Sequence, residues 1–395
     1  MKAVDISNLD DDQKHAAIRI TSTITNTTEK NNLTPIVMCA PGGSGKTHVL
    51  RLASTLMSAA MIQHKTACFT GRAASQVAKE GLPNTSTLHS LMMKAVLDAN
   101  GDLLYFEDKP DEEVAADIGE GLLVDEGSMV PHQMFQRLMN ICTRYGVKLV
   151  LVGDSAQLPP IEPPQTKGFN IMDLQPPTVE RISLRTNYRQ KEGSAIADLA
   201  MHLRDNASIP RRKSQDLRML PKSRVLKLDF HQKNHFDVIL CGTNKIRRRL
   251  NNLVRTARGF EDEYPVEGEV IICKRNDIVN EQRINNGELY RVESRFPSNI
   301  EGCHDYMLSG MDNGITVRVR IPDVSWGEEE KFGRKLNGHP VQQFSFGYAI
   351  TTHSAQGSQF PRVLFFDEDV SYFLDQQKWR YTAVSRASEY LVIAQ

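Results

Sequence analysis

The sequence lacks a net charge, a long apolar run and clustered cysteines. Its 48 lysine and arginine residues are balanced by 48 aspartate and glutamate residues in a chain of 395. No apolar stretch approaches the roughly 18 residues of a membrane span, and the start MKAVDISNLDDDQKH has no apolar signal core. We therefore expect a cytoplasmic protein of two or three domains. The zero charge also argues at first against a polyanion partner, because polyanion binders are usually basic.

The cysteines are scattered and never form a C-x-x-C pair, and several lie in apolar runs such as IVMCA and VILCG. We predict buried free thiols in a reducing compartment. The histidines form no H-E-x-x-H sequence, so we predict no zinc site. The six cysteines are Cys39, Cys68, Cys142, Cys241, Cys273 and Cys303.

Short apolar runs alternate with helix-length amphipathic segments, which is the pattern of a parallel α/β sheet. In the first part of the chain, PIVMCA, TACFT, GLLVDE and VKLVLVGD predict strands. The Pro-rich segment 161–177 is interpreted as a linker, after which DVILCGTN, FSFGYAITTHS, RVLFFD and YLVIA resume the pattern. Residues 259–340 contain short segments with period-two alternation, which predict a small all-β insertion.

The segment APGGSGKT (40–47) lies between a predicted strand and a predicted helix, the context that a phosphate-binding loop requires. Its glycines let backbone N–H groups face phosphate oxygens, and the following helix adds its positive dipole end. Lys46 can reach the β- and γ-phosphates, and the Thr47 hydroxyl can bind Mg²⁺. Ala40 stands where the full pattern has glycine. The segment nonetheless predicts a site for ATP and Mg²⁺.

The strand GLLVDE ends in two carboxylates, as a phosphoryl-transfer site needs. Asp125 would hold Mg²⁺ through water, and Glu126 would polarise the attacking water. The transition state also needs cations at the γ-phosphate. Arg189 in LRTNYRQ and Arg386 in YTAVSRA are the candidates for these arginine fingers.

The motifs occur in the order LDDDQKHA, APGGSGKT, ACFTGRAA, TSTLHSL, LLVDEGSM, VGDSAQLPP, LRTNYRQ, AITTHSAQGSQF and YTAVSRA. In this order the chain resembles superfamily 1 helicases, and among them the RecD-like and bacteriophage Dda-type DNA helicases. The resemblance implies an α/β fold of two RecA-like P-loop domains with parallel sheets, a small wedge insertion in the first and a small all-β, SH3-like insertion in the second. The implied ranges are 1–92 and 118–180 for the first RecA-like domain, 93–117 for the wedge, 181–258 and 341–395 for the second RecA-like domain, and 259–340 for the β-barrel insertion.

The resemblance also implies roles for residues around the nucleotide. Gln13 would read the adenine edge, Gln157 would sense the γ-phosphate, and Arg189 and Arg386 would be the two fingers. Tyr188 would either stack on the adenine or pack in the core. The implied catalytic residues are Lys46, Glu126, Gln157, Arg189 and Arg386, and the implied nucleotide-binding residues are Gln13, Gly42, Gly43, Ser44, Gly45, Lys46, Thr47, Tyr188, Gln356 and Gly357.

The family's strand-binding loops correspond to two further groups of residues, whose contacts to phosphates and sugars would carry little sequence preference. Phe69 replaces a usual proline, so it either stacks on a base or fills the sheet core. Tyr105 and Phe106, at the tip of a wedge hairpin, either abut the last base pair or pack the subdomain. The implied strand-binding residues are Phe69, Thr70, Arg72, Thr87, His89, Thr351, Thr352 and His353. Ser354 and Gln359 replace a usual lysine and glutamate.

The implied function is an ATP-dependent DNA helicase that translocates 5′-to-3′ on single-stranded DNA and unwinds duplex in replication, recombination or repair. ATP would bind between the two RecA-like domains. We expect a monomer that engages single-stranded and forked DNA, with single-strand-binding or replisome proteins as further partners, in the host cytoplasm if a phage encodes it. A viral-type superfamily 1 RNA helicase, a catalytically inactive nucleic-acid-binding scaffold and a helicase subunit recruited by a nuclease stay open as alternatives.

The zero net charge is a sum of opposed regions. Residues 244–258 contain Lys245, Arg247, Arg248, Arg249, Arg255 and Arg258 and no acidic residue, whereas residues 101–126 contain ten acidic residues and one lysine. Neutrality therefore does not exclude a polyanion partner and favours a narrow strand-binding groove. We interpret the arginine run as a solvated helix face.

Overall fold

The computed structural model describes residues 9–25, 32–82, 84–99, 103–184, 194–225, 236–312, 314–327 and 332–395. The chain divides into two compact units, one of residues 1–94 and 107–193 and one of residues 95–106 and 194–395. Within the described ranges, no helix is long and apolar enough to cross a membrane.

The first unit is built on a six-stranded sheet in the order β3-β2-β6-β7-β1-β8, in which all paired strands are parallel. A separate two-stranded hairpin pairs β4 with β5. The strands are β1 (Ile36–Cys39), β2 (His64–Cys68), β3 (Thr85–Thr87), β4 (Met93–Leu97), β5 (Leu103–Asp108), β6 (Gly121–Asp125), β7 (Lys148–Gly153) and β8 (Glu180–Ser183). The helices are α1 (Asp11–Thr25), α2 (Lys46–Ala59), α3 (Gly71–Lys79), α4 (Leu88–Met92), α5 (Asp111–Ile118) and α6 (His132–Tyr145).

The central strands are buried because helices cover both faces of a parallel sheet. Every residue of β1, β6 and β7 is buried, as the apolar runs predict. The Pro-rich segment 161–177 is not a linker. It lies in the first unit, where Ile171 and Met172 are fully buried in the core on one side of the sheet.

The second unit contains a parallel sheet in the order β20-β10-β21-β22-β9 and an antiparallel sheet in the order β16-β15-β14-β11-β19. The strands are β9 (Leu217–Leu220), β10 (Val238–Cys241), β11 (Val270–Cys273), β12 (Asp277–Val279), β13 (Gln282–Ile284), β14 (Leu289–Pro297), β15 (Cys303–Gly310), β16 (Thr316–Pro322), β17 (Lys335–Leu336), β18 (His339–Pro340), β19 (Phe344–Phe346), β20 (Ala349–Thr351), β21 (Phe360–Phe366) and β22 (Ala387–Ala394). The helices are α7 (Ala195–Asp205), α8 (Lys222–Val225), α9 (Asn244–Ala257) and α10 (Gln376–Val384).

The α/β class with parallel sheets is therefore confirmed. Four strands of the antiparallel sheet fall within 259–340, where the alternation predicts an all-β region, but the fifth, β19, lies at Phe344–Phe346, in a segment that we assigned to the parallel pattern. All six cysteines lie in described segments and are free and buried, as predicted. Burial raises the pKa of the Cys142 and Cys273 thiols to about 12, so both stay protonated at neutral pH.

The two connections between the parallel and antiparallel sheets meet at a buried ion pair. Glu269 precedes β11, is 0% exposed, and accepts hydrogen bonds from Arg255 Nε at 2.8 Å and Nη2 at 3.0 Å. The Tyr348 hydroxyl, between β19 and β20, donates to Glu269 at 3.2 Å. The Arg255 guanidinium also lies 4.1 Å from the Phe346 ring centroid. Helix α9 therefore contacts the chain at both connections, just before β11 and at the end of β19.

Replacing Glu269 with alanine leaves the buried Arg255 guanidinium without its counter-charge. Removal of one partner of a buried pair typically destabilises a protein by about 3–5 kcal/mol, and we expect a loss of that size in the free energy of unfolding from urea titration. Glu267→Ala, at an exposed position two residues earlier, is the control and should change the free energy by less than about 0.5 kcal/mol. Equal effects of the two substitutions would contradict this role for the pair.

Candidate functional site

The predicted nucleotide-site residues of the first unit lie at the carboxyl ends of neighbouring parallel strands. Cys39, at the end of β1, pairs with Gly153 at the end of β7, and Cys68 at the end of β2 pairs with Asp125 at the end of β6. Ligands of open α/β sheets bind outside this edge. The strand register therefore brings the loop 40–47 and both predicted acidic residues to one edge.

The loop 40–47 has the backbone of a phosphate cradle. Gly43 and Gly45 adopt φ angles of 86° and 81°, a left-handed conformation that favours glycine. Lys46 begins α2, and its Nζ donates hydrogen bonds to the carbonyl oxygens of Ala40 at 3.1 Å and Pro41 at 3.4 Å. Thr47 follows in the same first turn. The lysine is held over the loop by weak neutral acceptors, which a phosphate oxygen can replace.

Gln13 is fixed against the phosphate loop by its neighbours. Its side chain accepts a hydrogen bond from the Asp10 backbone N–H at 3.1 Å, and its own N–H donates to Asp10 Oδ1 at 2.6 Å, which forms a capping box at the start of α1. Its Nε2 donates to the Ser44 carbonyl oxygen at 2.9 Å. The sequence reasoning missed Asp10, although the D-x-x-Q spacing is a capping signal that points to it.

Asp125 and Glu126 form a crowded acidic pair. Burial, followed by the proximity of Glu126, raises the pKa of Asp125 to about 6, and the charge of Lys46 opposes the rise. Glu126 has a left-handed φ of 54°, which is uncommon for a residue other than glycine. Its Oε2 is buried and has no hydrogen-bond partner among the described residues. A buried carboxylate oxygen without a partner is suited to orient a water molecule.

These side chains fit Mg²⁺ because the Thr47 hydroxyl and the Asp125 carboxylate are hard oxygen ligands, and Lys46 and Glu126 both lie close enough to shift the pKa of Asp125. In the described part of the chain, no group of three or more His, Cys, Asp or Glu side chains could hold a metal ion.

Asp154 connects the phosphate loop to Gln157. Asp154 is fully buried, accepts a hydrogen bond from the Gly42 N–H at 3.2 Å and another from the Ala156 N–H at 3.1 Å, and its carbonyl oxygen accepts the Gln157 N–H at 3.1 Å. Gln157 is 1% exposed, and its Oε1 finds no partner within the described ranges. The amide is therefore positioned beside the loop with an acceptor available.

The predicted strand-binding residues of the first unit lie at the ends of β2 and β3, which are adjacent because Cys68 pairs with Thr87. Thr87 caps α4 by accepting the Ser90 N–H at 3.0 Å. The rings of Phe69 and His89 lie 5.4 Å apart, and burial lowers the pKa of His89, so its ring is neutral at pH 7.

Thr70 and Arg72 belong to the N-terminal end of α3. The Thr70 side chain accepts the Ala73 N–H at 3.2 Å, and Arg72 lies in the first turn. A helix N-terminus favours anions. These two residues therefore place both a capped helix end and a cation at the edge that also carries Asp125.

In the second unit, Thr351 ends β20, and its hydroxyl lies 3.0 Å from the Ser354 hydroxyl. The Thr352 N–H and hydroxyl both donate to the Cys241 carbonyl oxygen, at 2.9 and 3.3 Å, and this residue is fully buried. Burial lowers the pKa of His353 to about 4, so its ring is neutral at pH 7. Hydrogen bonds from these residues to a strand would therefore come from neutral groups.

Arg386 is 4% exposed and donates to the carbonyl oxygens of Thr382 and Ser358, both at 3.2 Å, and to the Ser385 hydroxyl at 3.0 Å. Gln356 is also buried. The other predicted finger, Arg189, and Tyr188 lie outside the described residues. Gly357 adopts a left-handed φ of 72°, which only glycine readily provides at this turn.

Tyr105 and Phe106 lie within β5, and the two side chains differ in their surroundings. Tyr105 is 52% exposed. The Phe106 ring centroid lies 5.7 Å from the Arg334 guanidinium, which forms an ion pair with Asp277 at 3.2 Å. The ring of Tyr105 is thus exposed to solvent, whereas the ring of Phe106 packs against the Arg334 guanidinium.

Comparison with known proteins finds two family matches. Residues 8–219, more than half of the chain, match the AAA domain family, and residues 346–394 match the UvrD-like helicase C-terminal domain.

Solved structures of Pif1 helicases share the fold. Pif1 from Candida albicans is 18% identical with a TM-score of 0.58 over 98% of this chain and 94% of that one. A structure of two coordinating Pif1 helicases at forked double-stranded DNA is 19% identical with a TM-score of 0.60 over 98% and 92%. Bacteroides Pif1 in complex with ADP-AlF3 and single-stranded DNA is 18% identical with a TM-score of 0.58 over 96% and 91%.

Gly153 is predicted to tolerate no side chain. A Cβ at this position would lie 2.8 Å from Met172 Sδ and 2.9 Å from the Ser128 backbone nitrogen. Gly153→Ala must therefore shift the turn that follows Glu126. We expect maximal ATP turnover to fall by more than about tenfold, because misplacing a reacting group by an ångström costs that much or more, whereas ATP affinity should change little.

Gly327→Ala is the control, because the nearest atom to its added Cβ would be the Val324 carbonyl oxygen at 3.9 Å. Steady-state ATPase kinetics and a thermal melt of both variants check the prediction. A Gly153→Ala protein with the turnover of the control would show that the turn absorbs the methyl group.

Proposed function

This chain belongs to the superfamily 1 helicases, with an AAA domain and a UvrD-like helicase C-terminal domain, and we propose that it is an ATP-dependent DNA helicase that moves 5′-to-3′ along single-stranded DNA. One observation carries the proposal. The ends of β2 and β6 are paired through Cys68 and Asp125, so the loop with Phe69 and Thr70 directly adjoins the Asp125–Glu126 pair. Because the two loops are adjacent, a movement of the Asp125–Glu126 pair on ATP hydrolysis would displace the loop with Phe69 and Thr70 directly.

The geometry supports an assignment of steps at the phosphates. The ammonium group of Lys46 donates hydrogen bonds to the carbonyl oxygens of Ala40 and Pro41. When ATP binds, it would instead donate to the β- and γ-phosphate oxygens. Glu126 Oε2 would accept a hydrogen bond from the attacking water and align it with the γ-phosphorus. Thr47 and Asp125 would hold Mg²⁺, which neutralises charge that develops on the phosphate oxygens when it is bound.

The carboxylate of Asp154 would couple hydrolysis to the strand. Because this carboxylate accepts both the Gly42 N–H and the N–H of Ala156, the residue before Gln157, a displacement of the phosphate loop on loss of the γ-phosphate would reach the turn that carries Gln157 through two hydrogen bonds. Arg189 and Arg386 are proposed as the cations that stabilise the transition state, on the strength of their motifs.

The strand contacts support single-stranded nucleic acid of any sequence as the substrate. The Phe69 and His89 rings, the α3 N-terminus and Arg72 combine aromatic faces with anion-binding groups, the combination that sequence-tolerant single-strand binding uses. The fold is shared with a Pif1 helicase solved in complex with single-stranded DNA and with Pif1 helicases described as unwinding DNA at forked double-stranded DNA. We propose DNA as the strand and a monomer as the acting form, in the cytoplasm, with single-strand-binding or replisome proteins as partners.

A short duplex with either a 5′ or a 3′ single-stranded tail tests the proposal directly. We expect ATP-dependent unwinding of the 5′-tailed duplex, and stimulation of ATP hydrolysis by poly-dT above that by poly-U. Unwinding of the 3′-tailed duplex alone would overturn the polarity. Stronger stimulation by poly-U would identify an RNA helicase, and no stimulation by either polymer would overturn the function.

Lys46→Ala should abolish ATP turnover because no other side chain of the loop 40–47 supplies a cation to the phosphates. Affinity for poly-dT should stay within about threefold of the wild type, a difference of under 1 kcal/mol, since the strand-binding loops are untouched. Lys245→Ala, at an exposed position on α9, is the control and should keep its turnover. Loss of poly-dT binding together with turnover would contradict the assignment of separate groups.

Tyr105→Ala should reduce duplex unwinding while poly-dT-stimulated ATP hydrolysis continues, because the exposed Tyr105 ring is the one able to abut a terminal base pair. The comparison variant is Tyr105→Phe, which keeps the ring and should keep unwinding. The ratio of base pairs opened to ATP hydrolysed measures the effect. An unchanged ratio in Tyr105→Ala would remove this residue from the separating wedge.

A further inference from the structure

A buried polar stripe runs along α9, contrary to our interpretation of the arginine run as a solvated face. Arg247, Asn251 and Arg255 are spaced by four residues, so they lie on one side of the helix, and they are 1%, 2% and 8% exposed. Each contacts the segment 345–349. Arg247 donates to the Ser345 hydroxyl, Asn251 bonds to Ala349, and Arg255 lies against Phe346.

The contact at Ala349 has the form of a strand pairing made by a side chain. Asn251 Nδ2 donates to the Ala349 carbonyl oxygen at 2.9 Å, and the Ala349 N–H donates to Asn251 Oδ1 at 2.9 Å. On the other side of β20, the Tyr348 carbonyl oxygen accepts the Ile239 N–H of β10. The N–H and C=O of Ala349 therefore face away from β10 and towards the helix. A carboxamide is the side-chain group that offers one donor and one acceptor in the spacing of a peptide.

Strand β20 depends on this contact more than a central strand would. It has three residues, and it is the last strand in the parallel sheet that the described residues form. It pairs only with β10 in that sheet. Asn251 thus supplies the second set of backbone hydrogen bonds that a neighbouring strand supplies elsewhere.

The chain enters the predicted strand-binding loop immediately after this contact. Thr351 ends β20 two residues beyond Ala349, and the Thr352 N–H and hydroxyl continue the attachment to Cys241. The position of Thr351–His353 along the sheet edge is consequently set from two sides, by β10 and by Asn251.

We infer that Asn251 is a positioning residue that holds the backbone of Thr351–His353 in place for binding of the nucleic-acid strand, an inference that rests on the proposed function. Asn251 is 2% exposed, so its proposed effect is exerted through the backbone of Ala349 and not through contact with the strand. Its effect is expected in the concentration of strand that activates the enzyme, because activation requires the loop, and the ATP site of the first unit contains none of these residues.

Asn251→Asp is the principal test, since it keeps the size and the acceptor but replaces the donor to the Ala349 carbonyl with an oxygen. Asn252→Asp is the matched control, because it makes the same change of charge at the next residue, which is exposed. ATP turnover is titrated with poly-dT for the full chain of each variant. We expect the half-activating poly-dT concentration of Asn251→Asp to rise about tenfold, as for one lost binding contact, with kcat at saturating poly-dT and KM for ATP unchanged. The control should match the wild type.

Asn251→Ala removes both hydrogen bonds to Ala349, together with the one that Asn251 Nδ2 donates to the Arg247 carbonyl oxygen, and adds no charge. It gives the same readout if burial of a carboxylate unfolds the first variant, and circular dichroism melting reports folding. A folded variant whose half-activating concentration is unchanged would overturn the inference. A fall in kcat and in melting temperature with an unchanged half-activating poly-dT concentration would also overturn it, because that result indicates a purely structural role. If poly-dT fails to stimulate the wild-type protein in the same titration, the proposed function fails instead.

Discussion

The parallel register of the first sheet is the constraint on which the rest of the site depends. Because Cys39 is paired with Gly153, and Cys68 with Asp125, the loops that follow four strands leave the sheet at the same level. A slip of one residue would turn each of these side chains to the opposite face of the sheet. The phosphate loop, the acidic pair and the first strand-binding loop are consequences of that alignment.

The site carries local costs that the surrounding packing supports. Asp125 is buried beside Glu126, and the rise of its pKa to about 6 expresses the free-energy cost of burying its own charge near a second carboxylate. Glu126 adds a left-handed backbone, a conformation that persists only where its surroundings determine it. Gly153 allows this, because it leaves room for the turn that follows Glu126. Strain and like charge thus coincide where a cation and a water molecule are expected to bind.

The sequence identifies the parts of the site that local chemistry specifies. The loop 40–47, the strand that ends in Asp125 and the apolar strands of the parallel sheets follow from glycine spacing and apolar runs. The strands β3, β8 and β9 were not predicted, because these short segments form no continuous apolar run. Segment 161–177 was misread because proline content signals a break in regular structure but does not show that a chain leaves the core, and Ile171 and Met172 do not leave it. Arg247 and Arg255 were misread because a run of arginines resembles a solvated face until the partners Ser345 and Glu269, distant in sequence, are placed against it.

Each unit uses a neutral carboxamide on a neighbouring helix to hold the backbone of a functional segment. Gln13 on α1 donates to the Ser44 carbonyl oxygen in the phosphate loop, and Asn251 on α9 bonds to Ala349 before the loop Thr351–His353. A charged side chain could hold these carbonyls more strongly, but its field would act on the phosphates that the same loops are expected to bind. A carboxamide can bond to backbone groups without adding a net charge, so each of these two side chains positions a loop and brings no charge of its own that would attract or repel an anion. We therefore interpret these two amides as a device for placing loops whose ligands carry high negative charge.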